Sequence, residues 1–160
     1  MPILERLDHA QRARVVEGDL PFFSLYTAGI AGERFLRAIK DEGKLMGTHC
    51  ARCDIMYVPA RLYCEQCFAH LDQESWFEAG TEGHVHTFTV MHIGLDGALL
   101  DKPRLLAFVR LGESDGGLVH DLGEVDPDEV FIGMPVEAVF KPANERTGSI
   151  TDIVYFRPIG

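Results

Sequence analysis

The four cysteines of this 160-residue chain are confined to one short stretch, CARCDIMYVPARLYCEQC at residues 50–67. They form two Cys-x-x-Cys pairs, Cys50 with Cys53 and Cys64 with Cys67. Each pair directs two sulfur atoms towards one point, and two pairs complete the tetrahedral thiolate set that zinc accepts in closed structural sites. The spacing therefore predicts one zinc ion bound by all four cysteines.

The ligand set by itself leaves the metal open, because iron accepts the same four thiolates. The glycine that commonly follows a rubredoxin knuckle is replaced here by Asp54 and Phe68, which favours zinc. A thioredoxin-like redox pair would need a surrounding βαβ pattern, which the sequence lacks. A closed four-thiolate site has no open position for water or substrate, and no cysteine is left over as a nucleophile. We therefore expect a structural zinc site.

The charge balance bears on the choice of partner. The 15 Lys and Arg residues are outnumbered by 25 Asp and Glu residues, which gives a formal net charge of −10. Nucleic-acid binding depends on clustered basic residues that displace counterions from phosphates, so this composition disfavours it. The first residues, MPILERLDHAQRAR, lack the pattern of a secretory signal, and the longest apolar runs are too short for a membrane span. We expect a cytoplasmic protein with no membrane partner.

The residue patterns divide the chain into three regions. Residues 1–43 are expected to be helical in two pieces, residues 4–16 and the stretch AGIAGERFLRAIKDEGK, in which Gly43 fits a C-terminal cap. Residues 44–74 hold the cysteines. Residues 75–160 carry five runs rich in β-branched and aromatic residues, separated by turn residues: GHVHTFTVMHI, LLAFVRL, GLVHDL, MPVEAVF and ITDIVYF. Five short strands without intervening helices predict a small barrel.

The sequence contains no pattern that marks a catalytic site. No G-x-S-x-G elbow occurs, and the glycine-rich stretches at residues 94–97 and 112–117 do not open a helix after a strand, as a dinucleotide loop would. His84, His86 and His92 alternate along one predicted strand and could build a second metal site, although solvated strand positions explain them as well. We therefore predict no catalytic residue, and a stand-alone enzyme is kept as an alternative.

Basic residues in or beside the predicted strands are candidates for binding a phosphorylated ligand. Arginine and lysine are the usual partners of phosphate groups in proteins. The alternative is that these side chains are solvated strand ends. The residues concerned are Lys102, Arg104, Arg110, Lys141 and Arg157.

A longer combination of sequence elements resembles a known family. EGKLMGTHCARCDIMYVPARLYCEQC is followed by ESWFEAGTEGHVHTFTV and later by IGMPVEAVF and VYFRP. Together, over about residues 30–158, they resemble the acyl-CoA-associated family that joins a rubredoxin-like zinc ribbon to an OB-fold domain. A Pro-Pro-Arg-like element of that family is represented by Val-Pro-Ala-Arg at residues 58–61, which is a departure. The resemblance implies a mainly β protein with a helical segment at residues 1–43, a zinc ribbon at 44–74 and a five-stranded OB-fold barrel at 75–160.

The resemblance also implies an accessory role. Members of the family look like non-catalytic partners of thiolases and related acyl-CoA enzymes, and the small subunit of a benzoylsuccinyl-CoA-type thiolase is the example that it suggests. The chain would then bind a thiolase-like subunit in a two-plus-two hetero-oligomer, with its N-terminal segment lying on the partner. It would help to hold coenzyme A or the acyl-CoA, with phosphate contacts from Lys102, Arg104, Lys141 and Arg157.

Two further interpretations of the chain are left open by this resemblance. The catalytic partner could be an acyl-CoA hydratase or aldolase instead of a thiolase. An OB-fold protein that binds single-stranded nucleic acid is the alternative from another functional class, and it predicts a concentrated basic face and salt-sensitive binding.

Overall fold

The computed structural model describes residues 26–94 and 96–160. Within them the chain forms one α-helix, α1 (Gly29–Glu42), and the strands β1 (Met46–Cys50), β2 (Ile55–Tyr57), β3 (Trp76–Glu78), β4 (Glu82–Ile93), β5 (Leu99–Leu111), β6 (Gly117–Asp121), β7 (Pro135–Phe140) and β8 (Ile153–Pro158). The predicted helical piece at residues 4–16 lies outside the described residues, as does the rest of the chain before Tyr26. No helix in the described part is both long and apolar enough to cross a membrane.

Helix α1 confirms the helix predicted from the second N-terminal stretch. Phe35 and Ile39, which lie one turn apart, form its buried face. The cap is Gly43, whose φ of 69° lies in the left-handed region that glycine adopts without a steric penalty. Its N–H donates to the carbonyl of Ile39 at 3.1 Å. This cap ends the helix three residues before β1 begins, so that α1 packs beside the small sheet.

The small sheet contains the strands around the cysteines, in the order β2-β1-β3 with antiparallel pairing. Its central strand β1 has almost no room for side chains at Gly47, where a Cβ would lie 2.5 Å from the Phe77 ring and 2.7 Å from the Tyr57 carbonyl oxygen. Strand β3 falls in the region that the sequence assigns to the barrel, yet it pairs with β1. The third strand of the ribbon sheet therefore comes from the segment that leads into the barrel.

The second sheet has the order β6-β5-β4-β7-β8, and all of its pairings are antiparallel. These five strands confirm the five β-rich runs read from the sequence. Leu122, just after β6, forms a parallel bridge to Phe156 on β8 and brings the two outer strands together. The fold is thus mainly β, with a helix near the N-terminus and a small cysteine-containing sheet followed by a five-stranded OB-type barrel.

The larger of the two apolar clusters in the described residues connects the helix and the flanks of the ribbon with the barrel. Alternate residues of β5, from Leu105 to Leu111, are buried inside the barrel, as the period of two along a strand requires. Phe35 and Ile39 of α1 belong to the same cluster, and so do two residues that flank the small sheet, Leu45 and Val58. The apolar interior of the barrel therefore extends under the ribbon.

The ribbon and the barrel are also joined by hydrogen bonds between Met56 and Asp115. The Met56 N–H on β2 donates to the Asp115 carboxylate at 2.9 Å, and the Asp115 N–H donates to the Met56 carbonyl at 2.9 Å. Next to this pair, a Cβ on Gly116 would lie 2.3 Å from the Val58 carbonyl oxygen. The loop between β5 and β6 consequently packs directly on the second strand of the ribbon.

The hairpin formed by β4 and β5 extends beyond the rest of the barrel sheet. Strand β4 pairs with β7 only over residues 82–84, and β5 pairs with β6 only over residues 106–110. Further out, within the described residues, the two strands pair with each other alone, up to Ile93 and Leu99. We call residues 91–94 and 96–102 the β4–β5 arm.

Candidate metal centre

The first cysteine pair is held by the hairpin between β1 and β2. Cys50 is the last residue of β1 and pairs with Ile55, the first residue of β2. The Cys50 carbonyl accepts hydrogen bonds from the N–H groups of Cys53 at 3.2 Å and Asp54 at 2.7 Å. This tight turn places the Cys53 sulfur on the same side as that of Cys50.

The second cysteine pair repeats this turn. The Phe68 N–H donates to the Cys64 carbonyl at 3.0 Å, as the Asp54 N–H does to Cys50. Asp54 and Phe68 have φ values of 56° and 57°, in the left-handed region that glycine usually takes. The absence of a glycine after each pair therefore leaves the rubredoxin-like backbone unchanged, and it provides no argument for zinc against iron.

The two pairs converge on one point. The four Sγ atoms lie within 4.8 Å of one another, and those of Cys50 and Cys67 are 3.7 Å apart. A tetrahedral zinc with Zn–S bonds of about 2.3 Å places its sulfur ligands about 3.8 Å apart, whereas a disulfide needs about 2.05 Å. The thiol geometry thus fits a four-thiolate metal ion, and the four predicted ligands are brought together.

Polar groups around Cys64 favour its thiolate form. The Tyr57 hydroxyl lies 3.3 Å from the Cys64 sulfur. This hydrogen bond lowers the pKa of Cys64 to about 6 against the opposing effect of burial, and backbone N–H groups of the same turn act in the same direction. The hydrogen bond to the sulfur raises the pKa of Tyr57 to about 12, and the Cys67 thiol raises that of Cys53 to about 12. The hydrogen bonds around Cys64 therefore favour its thiolate form, which is the form that binds a metal.

The loop between the cysteine pairs is fixed to β1 by a buried threonine. The Thr48 hydroxyl accepts a hydrogen bond from the Arg61 N–H at 2.9 Å and donates to the Arg61 carbonyl at 3.1 Å. The Arg61 guanidinium lies 4.9 Å from the centre of the Tyr57 ring and pairs with Glu65. The second cysteine pair is in this way held in position relative to the first.

The predicted phosphate contacts lie in the barrel, and three of the four have carboxylate partners. Arg104 on β5 forms two hydrogen bonds with Asp121, at 2.5 and 2.7 Å. The Arg157 guanidinium lies 2.7 Å from Glu137, and the Lys141 ammonium lies 3.8 Å from the buried Asp152. For Lys102 on β5, no carboxylate partner is found among the described residues.

These four side chains are not all gathered at one point. Arg157 pairs across the β7–β8 hairpin with Glu137, four positions before Lys141. At about 3.3 Å per strand residue, Lys141 and Arg157 are separated by about 13 Å along the hairpin. Their role as phosphate contacts stays a prediction.

The histidines do not form a second metal site in the described residues. The cysteine group is the one cluster there with three or more metal-binding side chains close together. His86 instead packs edge-on against the Phe108 ring, at 5.7 Å between ring centres. This agrees with the simpler interpretation of these residues as ordinary strand positions.

Sequence reasoning missed Tyr57, Thr48 and Asp115, which hold the ribbon in shape. None of them belongs to a local pattern, because their partners lie 7 to 59 residues away along the chain. No sequence pattern links these residues to their partners, so their roles could not be recognised without the fold.

Two family profiles match the chain. The profile described as "ChsH2, rubredoxin-like zinc ribbon domain" matches residues 37–72, and the one described as "ChsH2, C-terminal OB-fold domain" matches residues 76–141. The first match contains all four cysteines. Together with the thiol geometry, it supports a structural zinc ion at this site.

Similar proteins are described as DUF35 domain-containing scaffold proteins. One from Methanocaldococcus jannaschii is 32% identical over 128 residues, which covers 79% of this chain and 89% of the relative. One from Pyrococcus furiosus is 31% identical over 128 residues, with 79% and 91% covered, and one from Methanothermobacter thermautotrophicus is 29% identical over 113 residues, with 71% and 84% covered. The chain therefore belongs to the ChsH2-type family of zinc-ribbon and OB-fold proteins, the DUF35 family.

Solved structures agree with this assignment. A DUF35-family protein of unknown function from Sulfolobus solfataricus superposes with a TM-score of 0.60 at 25% identity, covering 81% of this chain and 84% of the other. A chain of a structure described as "Ltp2-ChsH2(DUF35) aldolase" superposes with a TM-score of 0.55 at 28% identity, covering 78% and 91%. In that second structure a protein of this family is part of an enzyme complex.

Proposed function

We propose that this chain is a non-catalytic accessory subunit of an acyl-CoA-processing complex, and that its catalytic partner is a thiolase-like enzyme. Membership of a family of scaffold proteins supports the accessory role. The resemblance of the sequence to acyl-CoA-associated proteins supports the substrate class. In the proposed complex the barrel binds the enzyme and shapes the entrance for coenzyme A.

The observation that carries this proposal is the apolar surface of the β4–β5 arm. Leu99 is 81% exposed and Ile93 is 55% exposed, on a pair of strands that have no further strand beside them in the described part of the chain. An isolated two-stranded hairpin is only marginally stable in water, and exposed apolar side chains on it favour burial against another protein. The arm is thus the surface we assign to the partner.

The distribution of thiols supports a division of labour between two subunits. Thiolytic cleavage or formation of a carbon–carbon bond β to a thioester uses a cysteine nucleophile and a base. All four cysteines of this chain are clustered at the metal centre. The nucleophile would therefore come from the partner, and we assign the base to the partner as well.

Lys102 is the foremost candidate for a coenzyme A phosphate contact. It lies on the arm, and its ammonium has no carboxylate partner within the described residues, so that a phosphate would not have to displace one. Arg104, Lys141 and Arg157 would first have to exchange a carboxylate for the phosphate. We expect Lys102→Ala to weaken binding of coenzyme A to the complex, with the ribbon variant Arg52→Ala as the matched control.

An aldolase-type partner is the second candidate. The specific observation in its favour is the similar chain in the structure described as "Ltp2-ChsH2(DUF35) aldolase". Both candidates give the chain the same accessory role, and they differ in the carbon–carbon chemistry of the enzyme that it binds.

The decisive experiment is purification of the tagged chain from its native host. Every protein that co-purifies in an amount equal to that of the chain is then identified by mass spectrometry. A thiolase-like companion supports the proposal, and added coenzyme A thioesters would then identify the reaction. An aldolase companion supports the second candidate instead. A chain that is recovered alone, or with nucleic acid released by salt, contradicts the accessory role.

A pair of variants tests which surface binds the companion. Leu99→Glu places a charge on the arm, and Phe68→Glu places one on an equally exposed aromatic position of the ribbon. We expect Leu99→Glu to abolish recovery of the companion and Phe68→Glu to leave it intact. The reverse result would move the interface to the ribbon.

A further inference from the structure

Tyr57 connects the two halves of the metal centre. It is the last residue of β2, the strand that follows the first cysteine pair, and only 5% of its surface is exposed. Its hydroxyl lies 3.3 Å from the sulfur of Cys64, the first cysteine of the second pair. The same hydroxyl accepts a hydrogen bond from the Glu65 N–H at 3.2 Å. One side chain therefore reaches from the first knuckle to two consecutive residues of the second.

The chemistry of these groups fixes the direction of the bond to sulfur. A backbone N–H can only donate, so the hydroxyl oxygen accepts from Glu65 and its own proton remains available. A zinc-bound cysteine is a thiolate, which can only accept. In the metal-bound protein the Tyr57 hydroxyl consequently donates to the Cys64 sulfur.

This bond distinguishes Cys64 from the other three ligands. Four thiolates around Zn²⁺ leave a net negative charge on the centre, in a chain whose own net charge is −10. Among the described residues, no second side-chain hydroxyl contacts a cysteine sulfur. A hydrogen bond to a buried thiolate withdraws charge from it and makes it harder to protonate and displace.

We infer that Tyr57 is a positioning residue of the zinc centre: its hydroxyl donates to the Cys64 thiolate, aligns the second knuckle with the first, and slows release of the metal. The Arg61 guanidinium lies over the Tyr57 ring, 4.9 Å from the ring centre, and helps to hold it in place. This role does not depend on which enzyme the chain binds.

The test is Tyr57→Phe, which keeps the ring and removes only the hydroxyl group. Zinc transfer to a chromogenic chelator is expected to be about ten-fold faster or more, the lower range for losing an outer partner of a metal ligand. In the cobalt-loaded chain, the thiolate-to-cobalt charge-transfer band is expected to shift, because the Cys64 sulfur loses a hydrogen bond. Tyr63→Phe is the matched control, since Tyr63 lies in the same ribbon and is 58% exposed. Wild-type release and an unshifted band in Tyr57→Phe would overturn the inference.

A measurement on the unaltered chain keeps the inference testable if Tyr57→Phe does not fold. In the zinc-loaded wild type, the Tyr57 hydroxyl proton is expected to exchange with solvent much more slowly than that of Tyr63, as observed by proton NMR. Equal exchange of the two hydroxyl protons would show that Tyr57 makes no lasting bond to sulfur, and would overturn the inference independently of any variant.

Discussion

The ribbon and the barrel are stabilised in different ways. The buried residues of the ribbon cluster are Cys50, Tyr57, Cys64 and Leu71, so half of this small cluster consists of metal ligands. The barrel is filled by the larger apolar core, which includes the fully buried Phe156. A sheet of three short strands cannot bury enough apolar surface to hold itself together, and a metal ion supplies the missing free energy. With this larger core, the barrel is expected to fold without such an ion.

The two regions nevertheless share a boundary that neither could form alone. Leu45 and Val58 flank the small sheet but are buried in the core of the barrel. Asp115 in a barrel loop pairs with Met56 on β2 through two hydrogen bonds. The barrel should therefore keep its fold without the metal, whereas the ribbon depends on both the metal and the barrel.

Loss of the metal is expected to have the largest effect and to separate the two regions. Chelation, or Cys64→Ser, removes an ion that contributes about 10–16 kcal/mol in small zinc modules, so the ribbon should unfold. Hydrogen exchange followed by mass spectrometry should show lost protection over residues 46–78 and retained protection in the barrel strands. Thr87→Ser, a conservative change at an exposed barrel position, is the control. Equal loss of protection in both regions would mean that the barrel also depends on the metal.

A cavity in the barrel core is expected to have the next largest effect. Phe156→Ala deletes a fully buried ring and should lower the free energy of unfolding by about 3–5 kcal/mol, measured by urea denaturation. Bound zinc should remain at the wild-type level under native conditions. Val154→Ala, at an exposed position on the same strand, should change stability little. Loss of zinc from folded Phe156→Ala would show that the metal site is supported mainly by the barrel.

The contact between Asp115 and Met56 is expected to contribute less to the free energy of unfolding. Asp115→Ala removes the acceptor of the Met56 N–H, and because this carboxylate is 55% exposed we expect a loss of about 1 kcal/mol. Hydrogen exchange at the Met56 amide should accelerate more than exchange in the barrel strands. Glu113→Ala, at an exposed position in the same loop, serves as the control. If the two variants behave alike, the carboxylate does not join the two regions.

The smallest expected effect is a gain in ribbon stability. Phe68 has a φ of 57°, a conformation that costs an ordinary residue about 1–2 kcal/mol, and its side chain is 79% exposed. Glycine at this position relieves that cost, but it loses more conformational entropy on folding, which costs about 0.5–1 kcal/mol. The free energy of unfolding of Phe68→Gly should therefore rise by about 0.5 kcal/mol. Phe131→Gly, where φ is not positive, should lose stability. Thermal unfolding, monitored by the release of zinc, measures the stability of both variants. A loss of stability in both would contradict the strain argument.

The sequence alone determined the elements that depend on local patterns. The spacing of the cysteines identified the metal centre, the glycine cap identified the end of α1, and the β-rich runs identified all five barrel strands. Each of these properties is encoded within a short window, because knuckle geometry, helical capping and strand alternation depend on neighbouring residues. Together with the resemblance to the family, they were sufficient for the fold class.

Tertiary structure alone decided which distant groups meet. Three contacts depend on strand register and side-chain direction. They are the pairing of β3 with β1, the hydrogen bond between Tyr57 and Cys64, and the ion pairs that Arg104 and Arg157 form with carboxylates. The backbone after each cysteine pair was also decided by the tertiary structure, since Asp54 and Phe68 adopt the left-handed conformation without being glycine. The surrounding hydrogen bonds and the convergence of the thiols impose that conformation, because their combined free energy exceeds the local steric cost.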